Sequence, residues 1–309
     1  MERIKSLKVR ELLKKYREEN TFSSTEKLEF VGETIIGKDV YNVSKEFEYG
    51  GKTYLLGRVE ERDSELSLTV LFEKKDGVYH ETSIRWEMLQ DPCIAKIGGQ
   101  IILNGTKVYA DKDGKIYSWR TVFYKDIFTN PVEFLVAPLK MKDARVYEYS
   151  DGIIVFSRPQ GEKGGKGTIG YTTTKTLEDV SENTFEQAPL IEGIFDEESW
   201  GGVNDAIELD GGLIGVIGHI ASMEEGDIRH YYGMTFVLNP KTGKTSDLKI
   251  ICERKDFKKG EAKRPDLVDV VFMGGLNFNS DGTATLFTGL SDAEAHKGVI
   301  KNPFNKGCK

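Results

Sequence analysis

Tyr49-Gly50-Gly51-Lys52 leads directly into Tyr54-Leu55-Leu56-Gly57-Arg58-Val59, a glycine turn running into a short apolar strand. The layout returns four times. Ile97-Gly98-Gly99-Gln100 precedes Ile101-Ile102-Leu103, and Ser150-Asp151-Gly152 precedes Ile153-Ile154-Val155-Phe156. Asp210-Gly211-Gly212 precedes Leu213-Ile214-Gly215-Val216-Ile217, and Ser280-Asp281-Gly282 precedes Ala284-Thr285-Leu286-Phe287. Gly-Gly and Asp-Gly suit hairpin turns because glycine accepts positive φ. An aspartate stands ahead of each turn: Asp39, Asp91, Asp143, Asp205 and Asp269, separated by 52, 52, 62 and 64 residues. A supersecondary unit repeated at roughly this period marks a solenoid or propeller. Further runs such as Leu66–Phe72 and Met234–Leu238 supply three or four strands per interval. The expected fold is all-β, a five-bladed β-propeller, in which radial repetition protects sheet edges.

Outside the repeats, Ile4, Leu7, Leu12, Leu13 and Tyr16 recur at helical spacings among charged residues. They predict an amphipathic helix over about Ser6 to Glu19, packed under the domain or joining a neighbouring subunit in a homo-oligomer. Residues 1–27 are read as a helical extension and 28–309 as one catalytic propeller domain. Pro159-Gln160-Gly161-Glu162-Lys163-Gly164-Gly165-Lys166-Gly167-Thr168 fails the phosphate-loop pattern, since no Gly-Lys-Ser/Thr opens a helix after it; it reads as a mobile loop.

The 309 residues carry 39% hydrophobic and 30% charged side chains, enough for a large core. The formal charge of −7 argues against nucleic acid and against an anionic membrane surface. Cys93, Cys252 and Cys308 form no paired pattern, so neither a disulfide framework nor a structural zinc is expected. The first residues lack a signal-peptide core, and no apolar run approaches the ~20 residues of a membrane span. A cytoplasmic location, with no cofactor and no metal, is the expectation.

If the five aspartates start the innermost strands, their carboxyls gather at one mouth of a tunnel. Crowded carboxylates push some pKa values up and leave others low, which is the acid/base pair that glycosidic cleavage needs. Trp86, Trp119 and Trp200 each offer a sugar a stacking face, Trp200 with the best placement.

The same segments resemble the β-mannoside phosphorylases and their hydrolase relatives within the five-bladed glycosidases. The resemblance rests on Tyr41-Asn42-Val43-Ser44 with Arg58 and Arg62, Asp91-Pro92, Lys142-Asp143-Ala144 with Arg158-Pro159, Trp200-Gly201-Gly202 through His219, and Thr288-Gly289-Leu290-Ser291-Asp292-Ala293. Trp200–Ala206 and Lys263–Leu267 also resemble a less characterised bacterial and protozoan group within that superfamily. Several departures stand out: Asn204-Asp205 replaces prolines, and arginine is missing after Asp91-Pro92. The resemblance implies an enzyme on a glycoside or oligosaccharide, a mannoside or a furanoside such as a galactofuranoside. It implies Asp91 as proton donor and Asp143 or Asp205 as holder of water or sugar hydroxyls. Asp39, Asn42, Arg58, Arg62, Lys142, Arg158, Trp200, Asn204, His219, Asp269 and Asp292 are implied as the substrate-binding set. The leading expectation is an inverting glycoside hydrolase. A phosphorylase, which uses bound phosphate instead of a base, is the alternative that Arg58, Lys142, Arg158 and His219 support. A non-catalytic sugar-binding propeller is a third.

Overall fold

Each of the five glycine turns joins two antiparallel strands. Tyr49 pairs with Lys52, Ile97 with Gln100, Tyr149 with Gly152, Leu209 with Leu213 and Phe278 with Ala284. At Gly50-Gly51 and Gly98-Gly99 both turn residues have positive φ, from 56° to 79°. That is the primed turn whose twist matches its strands. The computed structural model describes residues 8–19, 22–223 and 227–304.

The strands fall into five successive antiparallel groups. The first joins Asp39–Tyr41 and Phe47–Tyr49 to Lys52–Glu60, then Leu68–Lys75 and Val78–Glu87. The second runs Leu89–Ile97, Gln100–Ala110, Ile116–Lys125 and Val132–Val136. The third is smaller: Arg145–Tyr149, Gly152–Ser157 and Gly170–Thr174, with a short helix, Glu182–Gln187, packed beside it. The fourth runs Trp200–Leu209, Leu213–Met223, Arg229–Leu238 and Lys249–Cys252. The fifth runs Asp269–Phe278, Thr283–Leu290 and Glu294–Lys301. Its outer strand is Phe22–Lys27, from the other end of the chain. A short parallel contact, His230 to Asp269, ties the fourth group to the fifth.

The first strands of neighbouring groups pack on one another: Leu89–Ile97 on Arg145–Tyr149, that on Trp200–Leu209, and that on Asp269–Phe278. These strands are buried along most of their length, on both faces. Ile94 and Ala95 are buried in cores on either side of their strand.

The helix spans Val9–Glu19; the part of the expected helix before Lys8 lies outside the described residues. Val9, Leu12, Leu13 and Tyr16 repeat at i, i+3, i+4 and i+7 and are all buried in a core shared with Ile220, Tyr232 and Ile250. Tyr16 Oη donates to Asp256 Oδ2 at 2.5 Å, and Arg17 grips Glu253 with two bonds of 2.7 and 3.0 Å. The apolar face of Val9–Glu19 is therefore covered by its own domain, the first of the two placements the sequence left open. Phe22–Lys27, at the end of the expected extension 1–27, completes the fifth group.

The insert 159–168 is pinned rather than loose. Gly161 and Gly165 exchange backbone bonds of 2.8 and 2.7 Å, and Lys163 Nζ reaches the carbonyls of Glu186 and Ala188 at the end of the short helix. Gly167 O accepts from Gly201 N, and the Lys166 ammonium lies 4.9 Å from the Trp200 ring centre. Cys93 and Cys252 are buried free thiols, and Cys308 lies outside the described residues.

Candidate active site

Asn42 (φ 43°), Asp91 (51°), Asp143 (59°) and Asp292 (50°), all polar, adopt left-handed backbone. Non-glycine residues avoid this region, though Asn and Asp tolerate it, and such outliers concentrate at functional sites. Asp91 also stands in a β-bulge between Gln90 and Cys93, a device that re-aims a side chain.

The first cluster surrounds Arg58. Its Nη1 donates to Asp91 Oδ1 at 3.2 Å, and its other edge donates to Glu60 Oε2 at 2.7 and 3.2 Å. Asn42 Nδ2 also donates to Asp91 Oδ1, at 2.8 Å. Glu60, buried, receives Tyr41 Oη at 2.7 Å and the ammonium of Lys263. Asp292 lies within electrostatic reach of both Arg58 and Asp91. Burial pushes its carboxyl above the usual range, against Arg58 and Lys263 and with the help of Asp91. Two neighbouring carboxyls thus stand in unequal environments.

The second cluster surrounds Asp143, which is buried. Arg145 Nη2 donates to Oδ1 at 3.2 Å, and Arg158 Nη1 lies 3.5 Å from Oδ2. Burial pushes the carboxyl up, but Arg158 and Arg145, with smaller contributions from His219 and Lys142, outweigh it and hold its pKa at about 2. His219 is buried too, and that desolvation takes its pKa down to about 3, so the ring is neutral at pH 7. Its Nδ1 is 2.8 Å from Asn204 Oδ1, and its ring stacks on Tyr231. Arg158 Nε donates to Gly201 O at 2.7 Å. Three buried donors here, Arg158 Nη1, Arg145 Nε and Asn204 Nδ2, find no hydrogen-bond acceptor among the described residues. Buried donors almost always have partners, so such a group calls for one.

Asp205 is fully engaged. Lys45 Nζ bonds both its oxygens at 3.0 and 2.8 Å, Ala206 N donates to Oδ1 at 2.9 Å, and Leu276 N to Oδ2 at 3.2 Å. Gly275 leaves the room: a Cβ there would come within 2.6 Å of Oδ2. The Cys93 thiol ties the clusters together. Burial raises its pKa to about 11, Arg145 opposes this, and Asp143, Asp205 and Asp91 all act on it. Among the described residues no group of three His, Cys, Asp or Glu side chains is set to hold a metal ion.

Other expected residues lie elsewhere. Asp39 is engaged by Arg62, which also bonds Glu261 at 2.6 Å, so both serve an ion pair on the rim. Asp269 receives His230 at 2.6 Å and acts on Arg17 of the helix, away from Asp91 and Asp143. Of the five aspartates, Asp91, Asp143 and Asp205 act on the Cys93 thiol, while Asp39 is paired with Arg62 and Asp269 with His230. A fourth acid, Asp292, joins the first three from the strand end of the fifth group. Trp200 Nε1 bonds Tyr231 Oη at 3.2 Å and the ring is buried beneath Lys166; Trp86 belongs to a hydrophobic core. Lys45, Glu60 and Arg145 went unread in the sequence, and Lys263 entered only within the Lys263–Leu267 segment, with no site role. Only Glu60 and Arg145 had a signal: Glu60 stands two residues from Arg58 on one strand, and Arg145 two residues after Asp143.

A family described as a protein of unknown function (DUF1861) matches residues 14–306. The chain belongs to this family. Among solved structures, this DUF1861 protein is similar to a mannose phosphorylase from Leishmania mexicana in complex with a phosphate ion. The two are 32% identical over 97% of this chain and 95% of that one, with a TM-score of 0.90. It is also similar to a GDP-Man-dependent mannosyltransferase from Leishmania mexicana, 28% identical over 97% and 96%, TM-score 0.87. An α-L-arabinofuranosidase from Fusarium graminearum shares the fold at 10% identity, covering 91% and 98%, TM-score 0.56. No protein of curated function matches the chain. The resemblance to mannoside phosphorylases read from the sequence is met by the first of these structures. The family is one of carbohydrate-active enzymes.

Proposed function

We propose that this protein is an inverting glycoside phosphorylase acting on β-mannosides, with its five antiparallel groups arranged as the blades of a propeller. The radial arrangement is supported by the contacts between successive first strands and by Phe22–Lys27 completing the last group.

The observation that carries the reaction is the cationic set around Asp143. Arg145, Arg158 and Lys142 stand against one carboxylate, and the neutral His219 adds no charge, leaving an excess of positive charge. Three buried donors there find no acceptor among the described residues. A phosphate dianion supplies both the charge and the acceptor oxygens, and arginine forks match it. Neither carboxylate expected as a base suits hydrolysis. Asp143, with a pKa of about 2, is too weak a base to activate water, because an efficient base titrates near the working pH. Asp205 has both oxygens occupied. A phosphorylase needs no such base. The mannose and phosphate in the relative's description favour this reading over the hydrolase and the furanoside.

In this mechanism a phosphate oxygen attacks the anomeric carbon while the bond to the leaving oxygen breaks. The bonding pair passes to that oxygen, which takes a proton from Asp91. Arg58 and Asn42 hold Asp91 Oδ1, so Oδ2 carries the proton. Asp292 lies beside Asp91, its carboxyl raised above the usual range by burial. The products are the freed alcohol and a glycosyl phosphate of inverted configuration.

The test is turnover of β-mannosides with and without phosphate, read by 31P NMR for the glycosyl phosphate, with a parallel arm using GDP-mannose as donor. Free mannose released at an undiminished rate without phosphate would return the chain to the hydrolases. Transfer from GDP-mannose alone would make it a transferase.

A further inference from the structure

The segment Glu261–Asp266, between the fourth and fifth groups, reaches across to residues 60–65 of the first. Glu261 receives Arg62 Nη2 at 2.6 Å, and Ala262 O lies 3.5 Å from Arg62 Nη1. Lys263 Nζ donates to Ser64 O at 2.6 Å, pairs with Glu60 and lies 3.1 Å from Glu65. Arg264 donates to Glu65 at 2.9 Å. Four consecutive residues clasp one stretch. All are exposed or half-exposed except Lys263, whose side chain is 3% exposed.

Burying an ammonium costs several kcal/mol before its partners compensate, so a buried ion pair is weak grounds for a purely stabilising role. The division of Glu60 suggests another. Its Oε1 takes Lys263 and Tyr41, while its Oε2 alone takes the Nε and Nη2 edge of Arg58. Glu65 also lies 3.3 Å from Arg58 Nη2. Lys263 therefore occupies carboxylate oxygens that would otherwise compete for the guanidinium, and Arg58 keeps Nη1 turned to Asp91. The Lys263 backbone N also donates to Ser291 O at 2.9 Å, holding the left-handed Ser291-Asp292 pair.

The geometry points to Lys263 as a positioning residue for the proton donor. Through Glu60 and Arg58 it fixes Asp91 at the leaving oxygen, although it comes from a different part of the chain. The assignment rests on the proposed role of Asp91. It holds whether phosphate or water takes the mannosyl group from a β-mannoside, because each of these routes must protonate the leaving oxygen; a nucleoside diphosphate would leave without it. Wild-type turnover with and without phosphate settles the acceptor separately.

The variant is Lys263→Met, which keeps the chain length and the backbone bond to Ser291. The substrates are an unactivated β-mannoside and a dinitrophenyl β-mannoside, whose leaving group needs little protonation. Misplacing a catalytic group by about 1 Å costs about 100-fold, so kcat on the unactivated substrate should fall by roughly 30- to 100-fold. The dinitrophenyl substrate should lose less than about threefold, with KM for phosphate unchanged within about twofold. Equal losses on both substrates, or a change confined to KM, would overturn the assignment. Should Lys263→Met fail to fold, Glu261→Ala/Arg264→Ala loosens the clasp from its exposed ends. It must show a smaller loss with the same preference for the unactivated substrate, and an even loss, or none, counts against the assignment.

Discussion

Replacing Arg158 by lysine separates the two jobs this arginine holds. Its slot is carved by glycines: a Cβ at Gly167 would come within 2.7 Å of the guanidinium, and one at Gly202 within 2.7 Å of Cδ. The side chain is buried and makes one firm bond, Nε to Gly201 O at 2.7 Å, leaving Nη1 without an acceptor 3.5 Å from Asp143. Lysine keeps the charge beside Asp143 but not the planar fork. Loss of a charged hydrogen bond to a phosphate oxygen is worth about 1.5–3 kcal/mol, a rise of about 10- to 150-fold in KM for phosphate. Loss of the Gly201 bond costs a similar amount of stability, a drop of a few degrees in Tm. The assay is initial-rate phosphorolysis with phosphate varied at saturating mannoside, beside a thermal melt. A lowered Tm with KM for phosphate unchanged within about twofold would refute the phosphate role and leave Arg158 as a brace for Asp143.

Asp91→Asn should lower kcat on unactivated mannosides by about 10²- to 10⁴-fold and spare dinitrophenyl mannosides, since the amide cannot deliver a proton; steady-state rates on the two substrates check this. Asp143 has a pKa of about 2 against 3.8 in the unfolded chain, so its contribution to stability is full above pH 3.8 and lost as pH falls toward 2. Urea unfolding between pH 5 and 2.5 should show ~2 kcal/mol of this loss in the wild type that Asp143→Asn lacks. Leu12→Ala should cost ~2–5 kcal/mol by opening a cavity under the helix, while kcat and the sedimentation coefficient stay unchanged.

Much of the fold could be read ahead because its signals are local. A Gly-Gly pair at positive φ announces a hairpin within four residues, and five of them set the number of groups. Asp91 and Asp143 were legible because each stands at the start of a first strand, where the bulge and the left-handed backbone turn it inward. Asp39 and Asp269 shared that sequence position but not that geometry. In the first group the chain passes Asp39 and turns at Asn42, so the asparagine reaches Asp91. Asp269 is captured by His230 of the neighbouring group, a partner no periodicity reveals. Lys45 and Lys263 lie in connections without a repeat, and their partners are far along the chain. The glycine-rich insert read as loose because composition records a loop's freedom but not the helix end and the Trp200 face that hold it.

The pairing of Phe22–Lys27 with Glu294–Lys301 sets an order on synthesis. The strand that seals the last sheet is made 267 residues ahead of its partner, counting from Lys27 to Glu294. At about 5–20 residues per second the early strand waits on the order of tens of seconds. Exposed edges invite pairing with other chains during such a delay. Phe22-Ser23-Ser24-Thr25-Glu26-Lys27 is suited to waiting: one aromatic, then hydroxyls and charges, with little to attract a stranger. This sheet is thus expected to close late, in a step whose rate depends on two distant segments finding each other.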